Sequence, residues 1–307
     1  MAVLQQMLIF GILIVVGLFA RRFGMITQNN QQQLSSLVVN VTYPALILSS
    51  ALSAGERLDN GALLTALGAT VALIALALVA GWLLPIVLRY PRERRSIFTL
   101  MTVFTNIGFM GVPMIRGLYG NDALIYMTIF LIPFNLMFYA YAIPKLQGKI
   151  GKKGAFKPRD LLNAGMVSCA LAIVFYLANI PVPEFVSSAV DMVGSMTAPL
   201  GMMLLGSFLT DVNWKTLATD VRIWLFTGIK MFVVPVVIVW ILSFFIQDRI
   251  LLAVCLAAIA TPSGNVLALL ANLYNPALAD DAVKGIALTT VVSLVSMTAC
   301  FMVLGLS

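Results

Sequence analysis

Ten apolar windows recur along the chain, each about 18 to 25 residues long and separated by polar or charged positions. A helix rises about 1.5 Å per residue, so about 20 apolar residues span the roughly 30 Å hydrocarbon core of a bilayer. The pattern therefore predicts an all-α polytopic membrane protein with ten transmembrane helices. The windows cover residues 3–20, 34–53, 62–88, 96–116, 120–143, 160–179, 185–208, 221–246, 250–273 and 283–304.

The composition indicates that the chain is embedded in the lipid bilayer, which is its predicted partner. Hydrophobic residues fill 61% of the 307 positions and charged residues 10%, whereas a soluble domain carries about 25% charged residues. The net charge of +7 is therefore attributed to basic loops on one side of the membrane, and no nucleic acid is expected as a partner. Histidine is absent, which removes the commonest metal ligand and the usual general base. The three cysteines lie inside apolar windows as buried thiols, so no metal and no cofactor are predicted.

The loop cations predict the orientation in the cell membrane. Fifteen of the 19 Lys and Arg residues fall in loops on one side of the predicted helices. Arg57, Arg116 and Arg249 fall on the other side, and Lys230 lies within the eighth window. Because cytoplasmic loops carry the excess of Lys and Arg, both termini are expected outside and the basic loop at 144–159 in the cytoplasm. That loop is also a candidate patch for lipid phosphates.

The basic loop divides the windows into five and five, and an offset of 155 residues aligns the halves, with Pro44 on Pro199. Because each half has an odd number of spans, the second half must be inverted relative to the first. Inverted repeats of this kind are typical of secondary transporters. The predicted domains are a first five-helix repeat at 1–150 and a second, inverted repeat at 151–307.

Clusters of Gly, Pro and Asn interrupt the fourth and ninth windows at matching places. Proline favours the first position of a helix and Thr is a good cap before it, so Pro113 and the pair Thr261 and Pro262 are expected to begin new half-helices. Two broken helices at corresponding positions indicate a transporter's substrate site, where freed N–H groups attract an anion and freed carbonyls a cation. A tolerated proline kink is the alternative. The predicted substrate-binding residues here are Asn106, Gly108, Pro113, Thr261, Pro262, Ser263, Gly264 and Asn265.

Two further sets of residues within the windows are functional candidates. Pro44 and Pro199, with Asn40, could curve the second and seventh helices around a central substrate site, or they could be packing kinks. Asp191 and Lys230 are ionisable residues within predicted spans, where a charge is a functional candidate by default. Asp191 either reaches the outer interface or carries a proton. Lys230 either snorkels toward the cytoplasm or serves as the counter-charge of an anion or as a pair partner.

Four features together resemble the auxin efflux carrier family over essentially the whole chain. They are the run LSSLVVNVTYPALIL at 34–48, the run NIGFMGVP at 106–113, Lys230 five residues before Pro235, and the run TPSGN at 261–265. The resemblance implies ten helices in two inverted repeats, with broken helices four and nine crossing each other. It also implies a scaffold of helices one, two, six and seven, often a homodimer interface, beside a transport core of helices three to five and eight to ten. A more distant likeness in fold is to the bile acid:sodium symporters.

Members of that family carry organic anions, which are auxin in plants and malate or malonate among bacterial relatives. The short central loop at 144–159 departs from the long plant carriers and favours a bacterial-type carboxylate carrier. The sequence therefore predicts a secondary transporter that moves a small mono- or dicarboxylate by alternating access, with Na⁺ coupling, proton coupling or uniport left open. A channel, a membrane ligand sensor or a sodium symporter of the bile acid type are the alternatives. An enzyme is not predicted, because the one acidic pair, Asp280 and Asp281, is expected in a loop and no histidine accompanies it.

Overall fold

The computed structural model describes residues 2–52, 60–120, 122–148, 164–178, 180–210, 212 and 214–306. Within these ranges every named element is a helix, and six helices are long and apolar enough to cross a membrane. They match the first, third, fifth, seventh, eighth and tenth predicted windows, which confirms an all-helical, multi-pass membrane protein. The six are Val3–Arg22, Gly61–Val87, Ala123–Leu146, Glu184–Leu209, Val221–Ser243 and Pro276–Val303.

The other four windows hold helices that are shorter, polar at one end or interrupted, so the ten-span inverted repeat stays a prediction. Of the basic loop expected at 144–159, residues 149–159 lie outside the described ranges. The α-helices in chain order are α1 (Ala2–Arg22), α2 (Gln28–Leu37), α3 (Tyr43–Leu52), α4 (Asn60–Val87), α5 (Arg92–Val103), α6 (Val112–Tyr119), α7 (Asp122–Met137), α8 (Ile143–Leu146), α9 (Ala164–Ala178), α10 (Glu184–Ser195), α11 (Thr197–Leu209), α12 (Trp214–Thr219), α13 (Val221–Gly228), α14 (Val234–Ser243), α15 (Arg249–Ala260), α16 (Val266–Tyr274) and α17 (Ala279–Val303), with a 3₁₀ turn at Pro276–Leu278.

Within the described ranges, four π-helical turns each precede a proline that is the second residue of the next α-helix. Proline has no N–H and its ring clashes with the carbonyl four residues earlier, so a wider turn lets the helix continue past it. At the first of them, Tyr43 donates its N–H to the carbonyl of Val38, five residues back, just before Pro44. The turns are Val38–Thr42, Ile107–Gly111, Phe138–Ala142 and Ile229–Val233, and the prolines are Pro44, Pro113, Pro144 and Pro235.

Glycines bring several helices into close contact. A Cβ at Gly17 of α1 would overlap the carbonyl oxygen of Met203 in α11, and a Cβ at Gly206 would overlap the carbonyl of Ile14. Small residues at a helix crossing allow the backbones to approach, which is how membrane helices gain packing without a hydrophobic driving force. The outward faces remain apolar, with exposed side chains such as Leu8 and Val295, as expected of surfaces in contact with lipid.

Candidate functional site

The interruptions in the fourth and ninth windows meet in the interior of the protein. Residues 104–106 and a π-helical turn separate α5 from α6, and residues 261–265 separate α15 from α16. Thr105 and Ser263 lie opposite each other as an isolated antiparallel bridge, and both are buried. This meeting point of the two interruptions, residues 104–113 and 261–265, is here called the crossing.

The backbones of the two interruptions bond to each other at the crossing. The N–H of Asn106 donates to the carbonyl of Pro262 at 2.7 Å, and the N–H of Gly264 donates to the carbonyl of Phe104 at 2.9 Å. A Cβ at Gly264 would lie 3.2 Å from that same Phe104 oxygen, so glycine allows the close approach. Each interruption therefore satisfies backbone groups that the other leaves free.

The expected start of a half-helix at Thr261 and Pro262 is wrong. Thr261 has an extended backbone (φ −62°, ψ 152°), and α16 begins at Val266 with Asn265 at its N-cap. The residue before a proline is pushed out of the α region, so Pro262 ends α15 rather than beginning a new helix. The expected start at Pro113 is wrong as well, because the helical segment resumes at Ile107, after Asn106, and Pro113 lies six residues further along it, in the first turn of α6.

Hydroxyl groups bond further backbone groups at the crossing. Thr105 Oγ1 donates to the carbonyl of Ala258 at 2.5 Å, and Ser263 Oγ donates to that of Met101 at 2.9 Å. The N–H of Ser263 donates to Thr289 Oγ1 at 3.2 Å, which brings α17 against the crossing. This use of Ser and Thr is what the kink interpretation expects, so these hydroxyls have structural partners already.

The amide side chains of Asn106 and Asn265 differ from these hydroxyls. Each residue is the N-cap of a resumed helical segment, yet neither side chain caps its helix, although Asn ordinarily does so. Asn106 is 7% exposed, and its Nδ2 finds no hydrogen-bond partner among the described residues. Both amide atoms of Asn265 are likewise buried and unpartnered in that part of the chain. Buried polar groups are rarely left unbonded, so these amides are the strongest ligand candidates at the crossing.

The ammonium of Lys230 also reaches the crossing. Lys230 lies on the π-helical turn Ile229–Val233 and is 1% exposed, so its head group does not snorkel to the membrane surface. Its Nζ lies 2.6 Å from the carbonyl oxygen of Thr261 and 3.4 Å from Sδ of Met231. Among the described residues no carboxylate forms an ion pair with it.

Asp191 lies apart from the crossing contacts and has partners of its own. Its Oδ1 accepts hydrogen bonds from Arg116 Nη2 and from Ser49 Oγ, each at 2.5 Å. Sequence reasoning placed Arg116 in an outer loop and gave it no role, whereas the structure places it in the last turn of α6. Asp191 therefore joins α10 to α6 and α3, and a proton-carrying role for it stays a prediction.

The remaining predicted site residues have different surroundings. A Cβ at Gly108 would lie 3.3 Å from the ring of Tyr43, so the π-helical turn of the crossing packs on the residue before Pro44. Asn40 is exposed and donates to the carbonyl of Ser36 at 3.0 Å within its own helix. Pro199 is exposed on α11. In this conformation neither Asn40 nor Pro199 contributes a described hydrogen bond to the crossing, and their role in binding stays a prediction.

A polar stripe on α17 is a feature that the sequence analysis missed. Thr289, Ser293 and Ser296 are buried and recur at the four- and three-residue spacing of one helix face. Thr289 contacts Ser263, and Ser293 Oγ lies 3.9 Å from Sδ of Met110 beside the crossing. The sequence did contain a signal for this stripe, because hydroxyl residues recur at helical spacing within an otherwise apolar window.

The acidic pair that was expected in a loop lies in the first turn of α17, where carboxylates suit the positive end of a helix. Asp281 is buried and accepts a hydrogen bond from Arg94 Nε at 2.6 Å. Asp280 pairs with Lys284 at 2.6 Å, one turn later on the same helix. Both carboxylates therefore have basic partners. Within the described ranges no group of three metal-ligating side chains is found.

Comparison with known proteins gives consistent matches. A family model described as membrane transport protein matches residues 2–301. An uncharacterized transporter of Methanocaldococcus jannaschii is 25% identical over 235 residues, which cover 71% of this chain and 75% of that protein. An uncharacterized transporter of Methanothermobacter thermautotrophicus is 22% identical over 295 residues, or 93% of each chain. The family match includes both interrupted helices.

Proposed function

The chain belongs to the membrane transport protein family, which confirms the resemblance to auxin efflux carriers, and from this premise we propose that it is a secondary transporter for a small organic anion. The observation that carries the proposal is that the buried ammonium of Lys230 bonds Thr261 at the crossing, where Nδ2 of Asn106 and both amide atoms of Asn265 are buried without a partner among the described residues. The substrate is a mono- or dicarboxylate held at the crossing.

The charge at the crossing is the argument for an anion. An isolated ammonium in an apolar interior is costly, and an anionic group nearby offsets that cost. The start of α16 adds the partial positive charge of a helix N-terminus, where no side chain caps the helix, while the N–H groups of Leu267 and Ala268 donate to the carbonyls of Gly264 and Asn265. A carboxylate can accept from the Lys230 ammonium and from the amide nitrogens of Asn106 and Asn265, which would fix its orientation.

The transport cycle follows from the same proposal. Of the ten predicted spans, the first, second, sixth and seventh form a scaffold and the remaining six form a transport core. The core moves so that the crossing opens alternately to either side of the cell membrane. The ten spans form two inverted repeats, with both termini outside and the scaffold as a homodimer interface. The coupling is by Na⁺, by a proton on Asp191, or absent in a uniporter.

A ligand screen followed by a flux assay tests the proposal. The purified protein is heated with mono- and dicarboxylates, including malate, malonate and indole acetate, and with neutral amides and amines of the same size. We expect a saturable rise in Tm with carboxylates only, followed by saturable counterflow of the same compound in proteoliposomes. Stabilisation by neutral or cationic compounds alone would contradict the proposal that the substrate is an anion. Flux without saturation would indicate a channel, and binding without flux a sensor.

Lys230→Met is the decisive variant, and Lys215→Met is its matched control because Lys215 is exposed on α12. If the buried ammonium attracts the substrate, Lys230→Met lowers the affinity for the carboxylate by about tenfold or more, which corresponds to 1.4 kcal/mol. The control variant keeps the affinity of the wild type. If the two variants bound the carboxylate with equal affinity, Lys230 would not be the counter-charge of the substrate.

A further inference from the structure

Four charged side chains act electrostatically on Tyr90 where the ends of three helices come together, on the side predicted to be cytoplasmic. Tyr90 lies in the turn between α4 and α5, and Arg94 lies in the first turn of α5. Asp281 lies in the first turn of α17, while Asp220 and Arg222 lie at the start of α13. These five residues, none of which belongs to the crossing, are here called the Tyr90 cluster.

Aromatic contacts hold the ring of Tyr90 in place. It stacks on Phe98 with the ring centroids 3.8 Å apart, and Phe98 meets Phe226 of α13 edge to face at 4.9 Å. Arg94 lies over the same ring, with its Cζ 5.9 Å from the centroid. Aromatic rings favour stacked and T-shaped contacts with one another and attract a guanidinium to their faces. These contacts account for the ring of Tyr90 but not for its hydroxyl group.

The Tyr90 hydroxyl is an unused donor. The residue is 2% exposed, and its Oη has no hydrogen-bond partner among the described residues. Burial raises the pKa of this phenol, so the group stays protonated. A phenylalanine would make the same ring contacts, and a buried polar group that is left unbonded is costly. The hydroxyl therefore indicates a ligand with an acceptor oxygen.

The charges beside this hydroxyl favour an anionic ligand. Arg222 is exposed, and no carboxylate pairs with it in the part of the chain that the structure describes. The two carboxylates of the cluster are already engaged, because Asp281 accepts from Arg94 and Asp220 caps the N-terminus of α13. Arg89 adds another exposed cation in the turn that carries the hydroxyl. A phosphate oxygen can accept from a hydroxyl and a guanidinium together.

An exposed apolar face begins beside Arg222 and indicates that the anion is a lipid. Val221, Trp224 and Leu225 recur at the spacing of one helix face, and they are 68%, 47% and 52% exposed. Tryptophan is enriched where the hydrocarbon core meets the headgroups, and basic side chains at that level attract anionic lipids. A free phosphate ion would use the charges but not the apolar face.

We propose that the Tyr90 cluster binds the headgroup of an anionic phospholipid. A phosphate oxygen accepts from the Tyr90 hydroxyl and from Arg222, and the acyl chains lie along the exposed apolar face of α13. The headgroup thereby joins the turn before α5 to the start of α13, so bound lipid stabilises the contact between these segments. The site is separate from the crossing, and the proposal does not depend on the proposed transport function.

Thermal stability in detergent tests the proposal. The purified protein is titrated in a non-ionic detergent, without any carboxylate, with phosphatidylglycerol and with phosphatidylcholine of the same acyl chains. We expect a saturable rise in Tm of about 5 °C at a phosphatidylglycerol concentration one hundred times its Kd, and no such rise with phosphatidylcholine. Glycerol 3-phosphate, which carries the phosphate without the chains, should not reproduce the rise at the same concentrations.

Two variants separate the hydroxyl from the charge. Tyr90→Phe keeps the stacked ring, so its Tm without lipid should be no lower than that of the wild type, while its affinity for phosphatidylglycerol falls about 2- to 13-fold. Arg222→Gln should lower that affinity about fivefold, and Arg222→Lys should retain most of it. Arg22→Gln is the matched control, because it removes an exposed arginine at the end of α1, and it should bind the lipid as the wild type does.

Several results would overturn the proposal. They are the absence of a rise with phosphatidylglycerol, an equal rise with phosphatidylcholine or with glycerol 3-phosphate, and equal lipid affinities in Arg222→Gln and Arg22→Gln. A Tyr90→Phe variant that loses Tm without lipid but binds phosphatidylglycerol like the wild type would also contradict it, because the hydroxyl would then be structural. Since Arg222 is exposed, its variants remain measurable if Tyr90→Phe does not fold.

Discussion

The guanidinium of Arg116 and the carboxylate of Asp191 join the end of α6 to the middle of α10, with Nη2 of the first 2.5 Å from Oδ1 of the second. Ser49 of α3 donates to the same oxygen. In the proposed transport cycle α6 belongs to the moving core, whereas α3 and α10 belong to the scaffold. The ion pair therefore links two parts of the protein that must move relative to each other.

Neutralising this ion pair is expected to change the balance between transport conformations. Asp191→Asn keeps a hydrogen-bonding side chain but removes the charge, and a partly exposed ion pair contributes about 0.2–1 kcal/mol. We expect a shift of about 1.4- to 5-fold in the ratio of conformations, measured as the labelling rate of single cysteines on either side of the crossing. Arg116→Gln should give the same shift, and the double variant no additional one.

The control for this experiment is Asp280→Asn, which breaks the pair with Lys284 within α17 and leaves the link between α6 and α10 intact. It should not change the labelling ratio. If Asp191 instead carries a proton, Asp191→Asn alone abolishes the pH dependence of transport, while Arg116→Gln preserves it. That pattern would replace the linking role with a coupling role.

The two asparagines at the crossing are expected to affect binding more than stability. Nδ2 of Asn106 and both amide atoms of Asn265 have no partner within the described residues, so Asn106→Ala and Asn265→Ala remove no protein hydrogen bond of these atoms. If a carboxylate uses them, each variant weakens binding by about 1–3 kcal/mol, or roughly 5- to 150-fold. Substrate affinity and Tm are measured on the same preparations.

Asn135→Ala is the matched control because Asn135 is not among the predicted site residues and its Nδ2 donates to the carbonyl of Leu131 within its own helix. It should leave the affinity unchanged. A large loss of Tm in Asn106→Ala or Asn265→Ala with unaltered affinity would show that the amides stabilise the interruptions instead. The binding site would then have to be sought away from the crossing.

Hydropathy was sufficient for the six membrane-length helices because each long apolar run requires the bilayer, whichever helices it packs against. It was insufficient at the interruptions, because a repeat offset aligns equivalent positions and does not say which residues meet, whereas the structure brings Thr105 opposite Ser263. Prolines alone do not identify such places. Pro85 and Pro133 lie inside continuous α-helices, whereas Pro44 and Pro113 follow π-helical turns.

The contacts of the charged residues could not be predicted for a related reason. Lys230 and Thr261 are 31 positions apart, and Arg116 and Asp191 are 75 apart. Their meeting depends on how the helices pack, which hydropathy does not encode. The sequence singled out Asp191 and Lys230, because a charge within a membrane span needs a partner, but it did not identify those partners.

The close packing of α1 on α11 predicts a stability defect on adding a single methyl group. In Gly17→Ala the new Cβ would overlap the carbonyl of Met203, so the helices must move apart at a cost of about 1–3 kcal/mol. We expect Tm to fall by several degrees. Gly11→Ala on the same helix is the control, since its Cβ would lie 3.8 Å from Leu294, at ordinary contact distance. Equal Tm values for the two variants would contradict this packing.

The orientation in the membrane is tested by labelling the central basic loop, whose position 152 lies outside the described residues. The positive-inside rule predicts that Lys152→Cys reacts with a membrane-impermeant maleimide in inside-out vesicles but not in intact cells. Arg57→Cys, on the opposite side of the predicted topology, should react in intact cells only. The native thiols Cys169, Cys255 and Cys300 are buried and should give little background. The reverse labelling pattern would place both termini in the cytoplasm, and the ion pair of Arg116 and Asp191 would then lie toward the cytoplasmic side.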